Sequence, residues 1–570
     1  MANTISEQIL ATQAASLKGY WKCNEASGNL ADSSGQANTL TATAFDAGDY
    51  SADGPGGLAI GPLNSANEYA IASASPLGTT IPNAFTMFAV VKYNSAAVAK
   101  AIISVGSNTD SSLVYLGDAT TGDIVVRVRD AGTDIVNTTR DANMTNGTWY
   151  TIAVCCSGGN TLKLYLDGVQ VGTDISFTLG TIDNIDRVLV GGSWAAGALF
   201  NCCDETIQHA AMWTTALTAA ELLDIHNALR YHKIYPDGTE DFTTLQTAAN
   251  VYDSTGGGTH TMECGAGDVG ALTLGSTWTP TGLTIQAATA AKHTGIDAGT
   301  TGLAYSTGAF ALTGMLGTVT LTVKDMRLQS SFVVNQNSTA SGFTLTMERN
   351  MFKIAGNLTS VLSVTADPSS GAISVTTNIR NNVFYITSGT ITNIILSDAI
   401  AGATETATIA DAINNNTISI TGGTISYGIR RRASAALTGT AQCTGAPKNN
   451  VAFGTASGGD LERELAGTGG TETVGNSGGY NATTDATQDE FGATGSLGSQ
   501  TAADWLTAVA TNGKLKLGAN GIDAGSTIAG FSDDITDQTR PIGAAWEIGA
   551  FEYLPVGGGM VKVILGESVL

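Results

Sequence analysis

Five short segments recur along the second half of the chain, and each places Asp or Asn just before an apolar strand. They read VKDMRL, ERNMFKI, IRNNVFYI, INNNTISI and KNNVAFG. With Asp325, Asn350, Asn382, Asn416 and Asn450 as markers, the separations are 25, 32, 34 and 34 residues. A period in this range predicts a solenoid that adds one coil per interval.

Asparagine suits the corner of such a coil for two reasons. It tolerates the left-handed backbone conformation of a sharp turn, and its side-chain amide can bond to the equivalent asparagine one coil away. We therefore interpret the five markers as a structural ladder. The stretch from Leu272 to Phe453 is rich in alternating Thr, Val and Ile, which predicts short β-strands on every coil.

The composition agrees with a chain of short strands. Of 570 residues, 70 are glycine and 13% are charged, which indicates many tight turns and little helix. The formal net charge of -23 argues against a nucleic-acid partner, because no broad face could neutralise phosphates. No stretch approaches the ~20 apolar residues of a membrane span, and the N-terminus lacks a basic segment followed by an apolar one. We expect no membrane partner and synthesis in a cytoplasm.

The first part of the chain, from Lys18 to about Arg230, has a different pattern. Apolar and polar residues alternate in FTMFAVVKY, IVVRVRD, WYTIAVCC, LKLYLDGVQVG and RVLVGG, which are bounded by Gly, Asn or Asp. This pattern predicts a β-sandwich. A helix is predicted in TTALTAAELLDIHNALRYH, where Thr218 and Glu221 can form a capping box.

Four motifs of this part resemble, in their order, those of the laminin-G-like, concanavalin-type jelly roll. They are GYWKCNEASGNLADSSGQANTLT, TWYTIAV, LYLDGVQVG and DETIQHAAMWTTALTAAEL, and the resemblance covers about residues 17–230. It implies a domain that binds glycans or proteins, with calcium held by loop carboxylates in some members. It places Asp204 at the turn that supplies such a carboxylate, so Asp204 is the candidate calcium ligand. Asp32 and Asp167 lie in turns, where Asp bonds its own backbone.

The rest of the chain resembles the pectate-lyase-like right-handed parallel β-helices of phage fibre and spike proteins. DFTTLQTAANVYD is similar to the short helix that closes the N-terminal end of such solenoids, and the GYN, IDAG and IGAFEY segments are similar to those that finish them. We therefore predict an all-β chain, with an N-terminal concanavalin-like β-sandwich and a C-terminal right-handed parallel β-helix. The predicted parts are an arm at 1–16, the jelly roll at 17–232, the β-helix with its cap at 233–455, and an end cap with an oligomerisation strand at 456–570.

The last ten residues, VKVILGESVL, follow three glycines at 557–559 and strongly favour a β-strand. An unpaired strand of this kind invites aggregation, and pairing with a neighbouring subunit would remove that risk. We therefore expect a homotrimer in which this strand lies between subunits. Deletion of residues 557–570 is expected to disrupt the oligomer.

Catalysis is the alternative that a solenoid raises, because parallel β-helices also include polysaccharide lyases and hydrolases. A glycoside hydrolase needs two carboxylates that face one sugar. The solenoid offers Asp297, Asp325, Glu348, Asp367, Asp398, Glu405 and Asp411. Asp325 and Glu348 are 23 residues apart and could stack on neighbouring coils, but Asp325 shares the ladder position. We expect no catalytic site.

Other reactive residues favour structural roles. The five histidines lack the spacing of metal ligands or of a nucleophile and its base. Of the seven cysteines, Cys155–Cys156 and Cys202–Cys203 are neighbours, and we interpret all seven as buried thiols, with a disulfide between the two pairs as the alternative. The run Arg430–Arg432 is interpreted as a solvated corner. A glycan could bind an exposed Trp149, Trp194 or Trp213, although each favours a core position.

Together these features predict a bacteriophage virion structural protein on the particle surface: a tail or collar fibre, a tailspike, or a capsid spike or decoration. It would bind host-surface glycan or a neighbouring virion protein, the latter through the N-terminal arm or the C-terminal strand. The alternatives are a polysaccharide-degrading β-helix enzyme, such as a depolymerase or lyase, and a bacterial surface adhesin. We predict no enzymatic activity, and calcium is the one cofactor that the resemblance allows.

Overall fold

The structure is a computed structural model. It describes residues 3–553 except 51, 56, 64–66, 95–99, 120–121, 159, 179–181, 238–240, 253–257, 279, 339–341, 455, 476–477, 485–493, 510 and 530–531. The predicted C-terminal strand and its glycines lie outside the described residues. No described helix is long and apolar enough to cross a membrane. The chain divides into two compact units, residues 1–263 and 264–570.

The first unit is built mainly from antiparallel strands. In chain order its elements are α1 (Ile5–Ala11), β1 (Leu17–Trp21), β2 (Thr41–Thr43), β3 (Ala52–Gly54), β4 (Gly57–Ala59), β5 (Tyr69–Ala72), β6 (Phe85–Lys92), β7 (Lys100–Gly106), β8 (Leu113–Ala119), β9 (Asp123–Asp130), β10 (Thr133–Arg140), β11 (Trp149–Ser157), β12 (Thr161–Leu166), β13 (Val169–Ser176), β14 (Arg187–Val190), β15 (Ser193–Ala195), β16 (Ala198–Phe200), β17 (Thr206–Trp213), α2 (Ala219–Ala228), β18 (Tyr231–Ile234), α3 (Leu245–Tyr252) and β19 (Thr259–Cys264).

Two sheets of this unit form the predicted sandwich. One has six strands in the order β1-β17-β6-β11-β12-β13, and the other has seven in the order β10-β9-β8-β7-β14-β5-β2. Alternate residues of both sheets meet in one apolar core that includes Trp21, Phe85, Val126 and Met212. Alternation along each strand dictates this arrangement, because successive side chains point to opposite faces.

The six-stranded sheet is also covered on its outer face. Phe88 and Trp213 belong to a second apolar cluster with residues of α1 and α2, such as Ile9 and Leu222. Strand β6 is therefore buried along seven of its eight residues and reads as a continuous apolar run. The predicted N-terminal arm packs on the sandwich, and the Trp213 indole donates to the Thr12 carbonyl at 2.9 Å.

The outer face of the seven-stranded sheet is covered in part by the hairpin β15–β16. Ala195 of the hairpin packs with Leu113, Tyr115 and Val125. Ser193 and Ala195 are buried. The side chain of Trp194, which lies between them, therefore points to the opposite face of the hairpin. The hairpin is thereby anchored through small residues and displays the tryptophan outward.

In the second unit the strands come in groups of three. The groups are β20 (Gly267–Asp268), β21 (Leu272–Leu274), β22 (Gly282–Ala287); β23 (Ala304–Ser306), β24 (Phe310–Thr313), β25 (Val319–Lys324); β26 (Arg327–Leu328), β27 (Phe332–Gln336), β28 (Gly342–Glu348); β29 (Met351–Ile354), β30 (Leu358–Ala366), β31 (Ala372–Arg380); β32 (Val383–Ile386), β33 (Thr390–Ala401), β34 (Thr406–Asn414); β35 (Thr417–Ile420), β36 (Thr424–Ala435), β37 (Thr440–Cys443); and β38 (Val451–Phe453), β39 (Ala456–Leu465), β40 (Thr471–Val474). A 3₁₀ turn (Thr289–Ala291), β41 (Ala482–Thr483), α4 (Ala502–Trp505), β42 (Leu506–Ala508) and β43 (Asn512–Leu515) complete the unit.

Equivalent strands of successive groups stack in parallel. Within this unit, the first sheet runs from β20 through every third strand to β41, the second from β21 to β39, and the third from β22 to β40. Registers carry over from coil to coil, as where Val383 pairs with Thr417 and Thr417 with Val451. This is the predicted parallel β-helix.

From β25 to β35, each coil passes from the third sheet to the next first-sheet strand through a corner of two residues, and Asn449 and Asn450 take the same two positions before β38. The first corner residue has left-handed backbone, with φ of 61° at Asp325, 53° at Arg349, 55° at Asn381, 54° at Asn415 and 56° at Asn449. The second corner residue is Met326 at the first of these corners and the ladder asparagine at the other four. The left-handed conformation and the ladder hydrogen bonds therefore belong to two adjacent residues. The sequence had predicted that a single residue has both.

The ladder itself is a continuous chain of buried hydrogen bonds. The Nδ2 atoms of Asn350, Asn382 and Asn416 donate to Oδ1 of the next member at 3.0 to 3.1 Å. Asn450 extends the chain to Asn481 at 3.1 Å. Each Oδ1 from Asn382 onward also accepts the main-chain amide of the preceding member, and Nδ2 donates to a carbonyl of the coil before.

Asp325 is not a member of this ladder, which corrects the sequence prediction. It occupies the left-handed position, and Met326 lies on the ladder line, where its amide donates to Asn350 Oδ1 at 3.1 Å. The step between Met326 and Asn350 is 24 residues. The one-residue error arose because Asp is as acceptable as Asn at a left-handed corner, so residue type alone did not distinguish the two positions.

The described residues between 505 and 553 lie along the corner and the first sheet. Asn449 Nδ2 donates to the Ser526 carbonyl at 2.7 Å, and the Ser526 amide donates to Asn449 Oδ1 at 2.9 Å. Ile535 and Phe551 pack on apolar first-sheet side chains. The segments that resemble solenoid ends therefore also cover its side, and this explains why first-sheet strands such as β32 are buried at every residue.

Candidate functional site

The two carboxylates considered for catalysis, Asp325 and Glu348, meet at Arg349. Arg349 Nε lies 2.8 Å from Asp325 Oδ1, and its Nη1 lies 2.7 Å from Glu348 Oε1. Lys292 and Arg380 occupy their other oxygens at 3.1 and 2.9 Å. Burial would raise the pKa of Asp325, but Arg349 and Lys292 lower it overall. Both carboxylates act as ion-pair partners at a corner, so neither is placed as a proton donor to a sugar.

Most of the remaining solenoid carboxylates are also paired. Asp297 contacts Arg327 and Lys353, Asp398 contacts Arg432, and Asp411 contacts Arg431. Asp367 and Glu405 have no ion-pair partner within the described residues. Both line a groove of about 480 Å³ that crosses four coils.

The basic run predicted as a solvated corner is instead engaged in ion pairs. Arg430 bonds Glu464, and Arg432 bonds Asp398. Arg431 is fully buried inside the coil and forms two bonds to Asp411, at 2.7 and 2.6 Å. The three arginines lie on a strand, so the middle one must point inward while its neighbours point outward.

Asp204, the candidate calcium ligand, lies in a buried acidic cluster with Asp118 and Glu205 of the jelly roll. Lys100 is the nearby cation, and its charge lowers the pKa of Asp118, although burial raises that pKa overall, to about 7. Burial and the Asp118 carboxylate raise the pKa of Glu205 to about 9. Among the described residues, no three His, Cys, Asp or Glu side chains are arranged to hold a metal ion. Calcium binding at Asp204 stays a prediction from the resemblance.

Because burial and the Asp118 carboxylate raise the pKa of Glu205 to about 9, the stability of the first unit should depend on pH above neutrality. The unfolded Glu205 is already ionised, so folding takes up a proton, and stability falls as pH rises from 7 to about 9. The slope is about 1.4 kcal/mol per pH unit for one proton. Histidines are neutral in both states in this window and do not contribute. We expect Glu205→Gln to flatten the fall in melting temperature measured by calorimetry; an unchanged slope would contradict this assignment.

The histidines and cysteines have structural positions. His209, His232, His260 and His293 are buried, and burial lowers the pKa of each. His226 Nδ1 lies 3.4 Å from Asp167 and 3.2 Å from the Thr151 hydroxyl. All seven cysteines are free and buried, so the alternative of a disulfide between the vicinal pairs is not present in the structure.

The three tryptophans proposed for glycan contact differ in their exposure to solvent. Trp149 and Trp213 are buried, whereas Trp194 is partly exposed at the outer face of its hairpin. Its ring lies 6.4 Å from the ring of Tyr69, at an interplanar angle of 46°. Sequence reasoning could not separate the three, because each lies in or beside an apolar strand.

Trp194 is held in place by the two loops beside its hairpin. Its indole Nε1 donates to Asn108 Oδ1 at 3.3 Å, and the main-chain amide of Asn108 donates to Asp186 Oδ1 at 2.8 Å. The hairpin tip is tied to the same loop because the Ala196 amide donates to the Asp110 carbonyl at 2.5 Å. Gly106 permits this close approach, since a Cβ there would lie 1.8 Å from the Trp194 carbonyl oxygen.

We call the residues Tyr69, Asn108, Asp110, Asp186 and Trp194 the Trp194 surface. It combines two aromatic rings with an exposed amide and two partly exposed carboxylates on the outer side of the seven-stranded sheet. Aromatic faces stack on the apolar faces of ligands, and nearby polar groups fix their orientation. The arrangement can therefore bind a flat, hydroxyl-rich molecule without any catalytic group.

Comparison with known proteins supports the assignment of the first unit. Residues 64–223 match the family model of the concanavalin A-like lectin/glucanases superfamily, so this region is similar to that superfamily. The match lies within the stretch expected from the sequence motifs. No curated protein matches the chain.

Several solved structures are similar at low identity. The binding domain of Paraclostridial Mosquitocidal Protein 1 is 14% identical with a TM-score of 0.32, over 39% of this chain and 54% of that one. The Ruminococcus gnavus IT-sialidase CBM40 bound to α2,3-sialyllactose is 17% identical with a TM-score of 0.23, over 25% and 83%. A botulinum neurotoxin type C structure is 13% identical with a TM-score of 0.30, over 40% and 54%. The chain thus spans about half of the mosquitocidal domain, and at these scores the likeness does not indicate what this chain binds.

Proposed function

We propose that this protein is a structural component of a bacteriophage virion surface and that its jelly roll binds host-surface glycan through the Trp194 surface. The observation that carries the glycan assignment is the partly exposed Trp194, held between Tyr69 and the Asn108 amide. The similarity of residues 64–223 to a superfamily of lectins and glucanases is consistent with a sugar ligand.

The second unit supports a structural role. Buried hydrogen bonds between ladder asparagines connect successive coils of the solenoid, and each coil is stabilised by its contacts with its neighbours. Seven buried free thiols suit a protein that folds in a reducing cytoplasm. Virion proteins fold there and meet the outside only after lysis. A homotrimer with intersubunit contacts through the C-terminal strand remains part of this proposal.

We propose binding without catalysis because Asp325 and Glu348, the two carboxylates that could stack on neighbouring coils, are held in ion pairs. Asp367 and Glu405 are the pair to test, since they line the solenoid groove. Incubation with host capsular polysaccharide should leave the concentration of reducing ends unchanged. Their release by the wild-type protein, abolished in Asp367→Asn or Glu405→Gln, would favour the depolymerase alternative instead.

Replacing Trp194 with alanine should abolish most glycan binding. We expect at least about tenfold weaker affinity, because one stacked aromatic ring contributes on the order of 1.4 kcal/mol. The melting temperature should be unchanged, since the ring is partly exposed. Trp194→Phe should retain part of the affinity. The measurement is a glycan microarray followed by titration calorimetry with the best-bound oligosaccharide.

Phe200→Ala provides a matched control. Phe200 is 45% exposed and belongs to the same hairpin, but it pairs with Ser193 and so leaves the face opposite to Trp194. Its loss should not change binding. Equal losses in both variants would place the site elsewhere on the hairpin, and full binding by Trp194→Ala would refute the Trp194 surface.

The virion assignment has a separate test. Mass spectrometry of purified particles from the phage that encodes this chain should detect it as a component that persists through density-gradient purification. Its presence only in the soluble lysate would exclude a virion role and favour a released enzyme or an adhesin.

A further inference from the structure

The charged groups around the Trp194 surface are predominantly acidic. The loop from Ser107 to Ser112 contributes Asp110, and the segment before β14 contributes Asp183 and Asp186. Asp110 is ionised, because hydrogen bonds from Ser112, Asn184 and Ser107 outweigh burial and lower its pKa. A ligand at Trp194 therefore meets a negative rim.

The one cation of these segments is already engaged. Arg187 Nη1 lies 3.2 Å from Asp186 Oδ2 and donates to the Asp186 carbonyl at 2.9 Å. Only 18% of the Arg187 side chain is exposed. A sugar carboxylate is recognised by an available arginine fork, a lysine ammonium or a row of amide donors, and the described part of the Trp194 surface offers none of these.

Hydroxyl groups suit this rim better than carboxylates do. A sugar hydroxyl can donate to Asp186 or to the carbonyl groups of the loop, and the Asn108 amide can donate to a ring or hydroxyl oxygen. The apolar face of a pyranose can stack on the indole. A sialic or uronic acid would bring a second negative charge against Asp183 and Asp186 without a compensating cation, which is unfavourable.

From this juxtaposition of an aromatic pair, the exposed Asn108 side chain and an acidic rim, we infer that the ligand of the Trp194 surface is an uncharged glycan and that sugars bearing carboxylates are excluded. This inference rests on the proposed glycan-binding function. The whole chain carries a formal charge of -23, so repulsion of acidic polysaccharides is reinforced beyond the surface itself.

A microarray of matched glycan pairs tests this. Each neutral oligosaccharide, such as lactose, is printed with an acidic counterpart that contains the same core, such as 3′-sialyllactose. We expect binding to neutral members at least about tenfold tighter than to acidic ones. Any residual acidic binding should strengthen as salt rises, since screening reduces repulsion.

A charge-reversal variant sharpens the result. Asp183→Lys places a cation on the rim at an exposed position. It should strengthen the binding of acidic glycans and so reduce the difference in affinity between neutral and acidic glycans. Asp174→Lys is the control, because Asp174 lies on the outer strand β13 of the other sheet with a side chain 48% exposed; it should leave the preference unchanged. Equal or tighter binding of the acidic members would overturn this inference and leave glycan binding intact. Failure to bind any member of the array would overturn the glycan-binding proposal itself.

Discussion

Asn416→Ala should destabilise the β-helix by about 3–5 kcal/mol. Asn416 Oδ1 accepts both the main-chain amide and the side-chain Nδ2 of Asn382, each at 3.0 Å. Its own Nδ2 donates to the Ile379 carbonyl at 2.8 Å and to Asn450 at 3.0 Å. All these groups are buried, so alanine leaves several donors and acceptors without partners, and each unsatisfied group costs about 1–3 kcal/mol.

Hydrogen exchange and calorimetry on the full chain would measure this effect. We expect a lower melting temperature for the second unit and faster exchange at the corner around Asn382 and Asn416, with the first unit unchanged. Asn378→Ala is the matched control, because Asn378 is a partly exposed asparagine on β31 and its loss should stay within about 0.5 kcal/mol. Wild-type stability and corner protection in Asn416→Ala would show that the ladder contributes little.

Asp411→Ala should have a comparable effect through charge. Arg431 and Asp411 have fully buried side chains and lie 2.6 Å apart. Removing the carboxylate leaves a guanidinium inside the coil without its Asp411 counter-charge, while its bonds to the Gly445 and Gly475 carbonyls remain. Breaking a buried pair in this way costs about 3–5 kcal/mol. The unfolding free energy of the second unit, from denaturant titration, is the quantity to compare.

Adding Arg431→Met to Asp411→Ala should recover much of the loss, because an apolar side chain of similar length needs no counter-charge. Asp398→Ala is the control. It breaks the neighbouring pair with Arg432, whose side chain is 31% exposed and can be hydrated, so a smaller cost of about 1 kcal/mol or less is expected. If the double variant is no more stable than Asp411→Ala, the buried charge is not the cause of the instability.

The sequence alone predicted both folds because their signals are local and repetitive. Two-residue alternation between Gly, Asn and Asp turns identified the sandwich strands, and the spacing of asparagines identified the coils. The capping box of Thr218 and Glu221 formed as predicted for the same reason, since helix caps depend on residues three apart.

Errors appeared where a local pattern had two equivalent solutions. Asp325 and Asn350 look alike as corner residues, yet the coil assigns the first to the left-handed position and the second to the ladder. Asn481 was missed because its coil lies in an irregular stretch whose strand β41 has only two residues. The fate of Arg431 depended on strand register, which shifts a side chain from solvent to core by one residue.

What the amino-acid sequence determined by itself was the kind of chain: all-β, with a jelly roll followed by a solenoid whose coils are marked by asparagine. Periodicity and turn chemistry act between near neighbours, so they can be read without coordinates. What only the tertiary structure decided was which polar groups are available to a ligand. Trp194, Tyr69 and Asn108 come from three separate segments. The carboxylate of Glu348 is held in ion pairs with Arg349 and Arg380. Exposure and pairing depend on contacts between residues far apart in the chain, and these are set by packing.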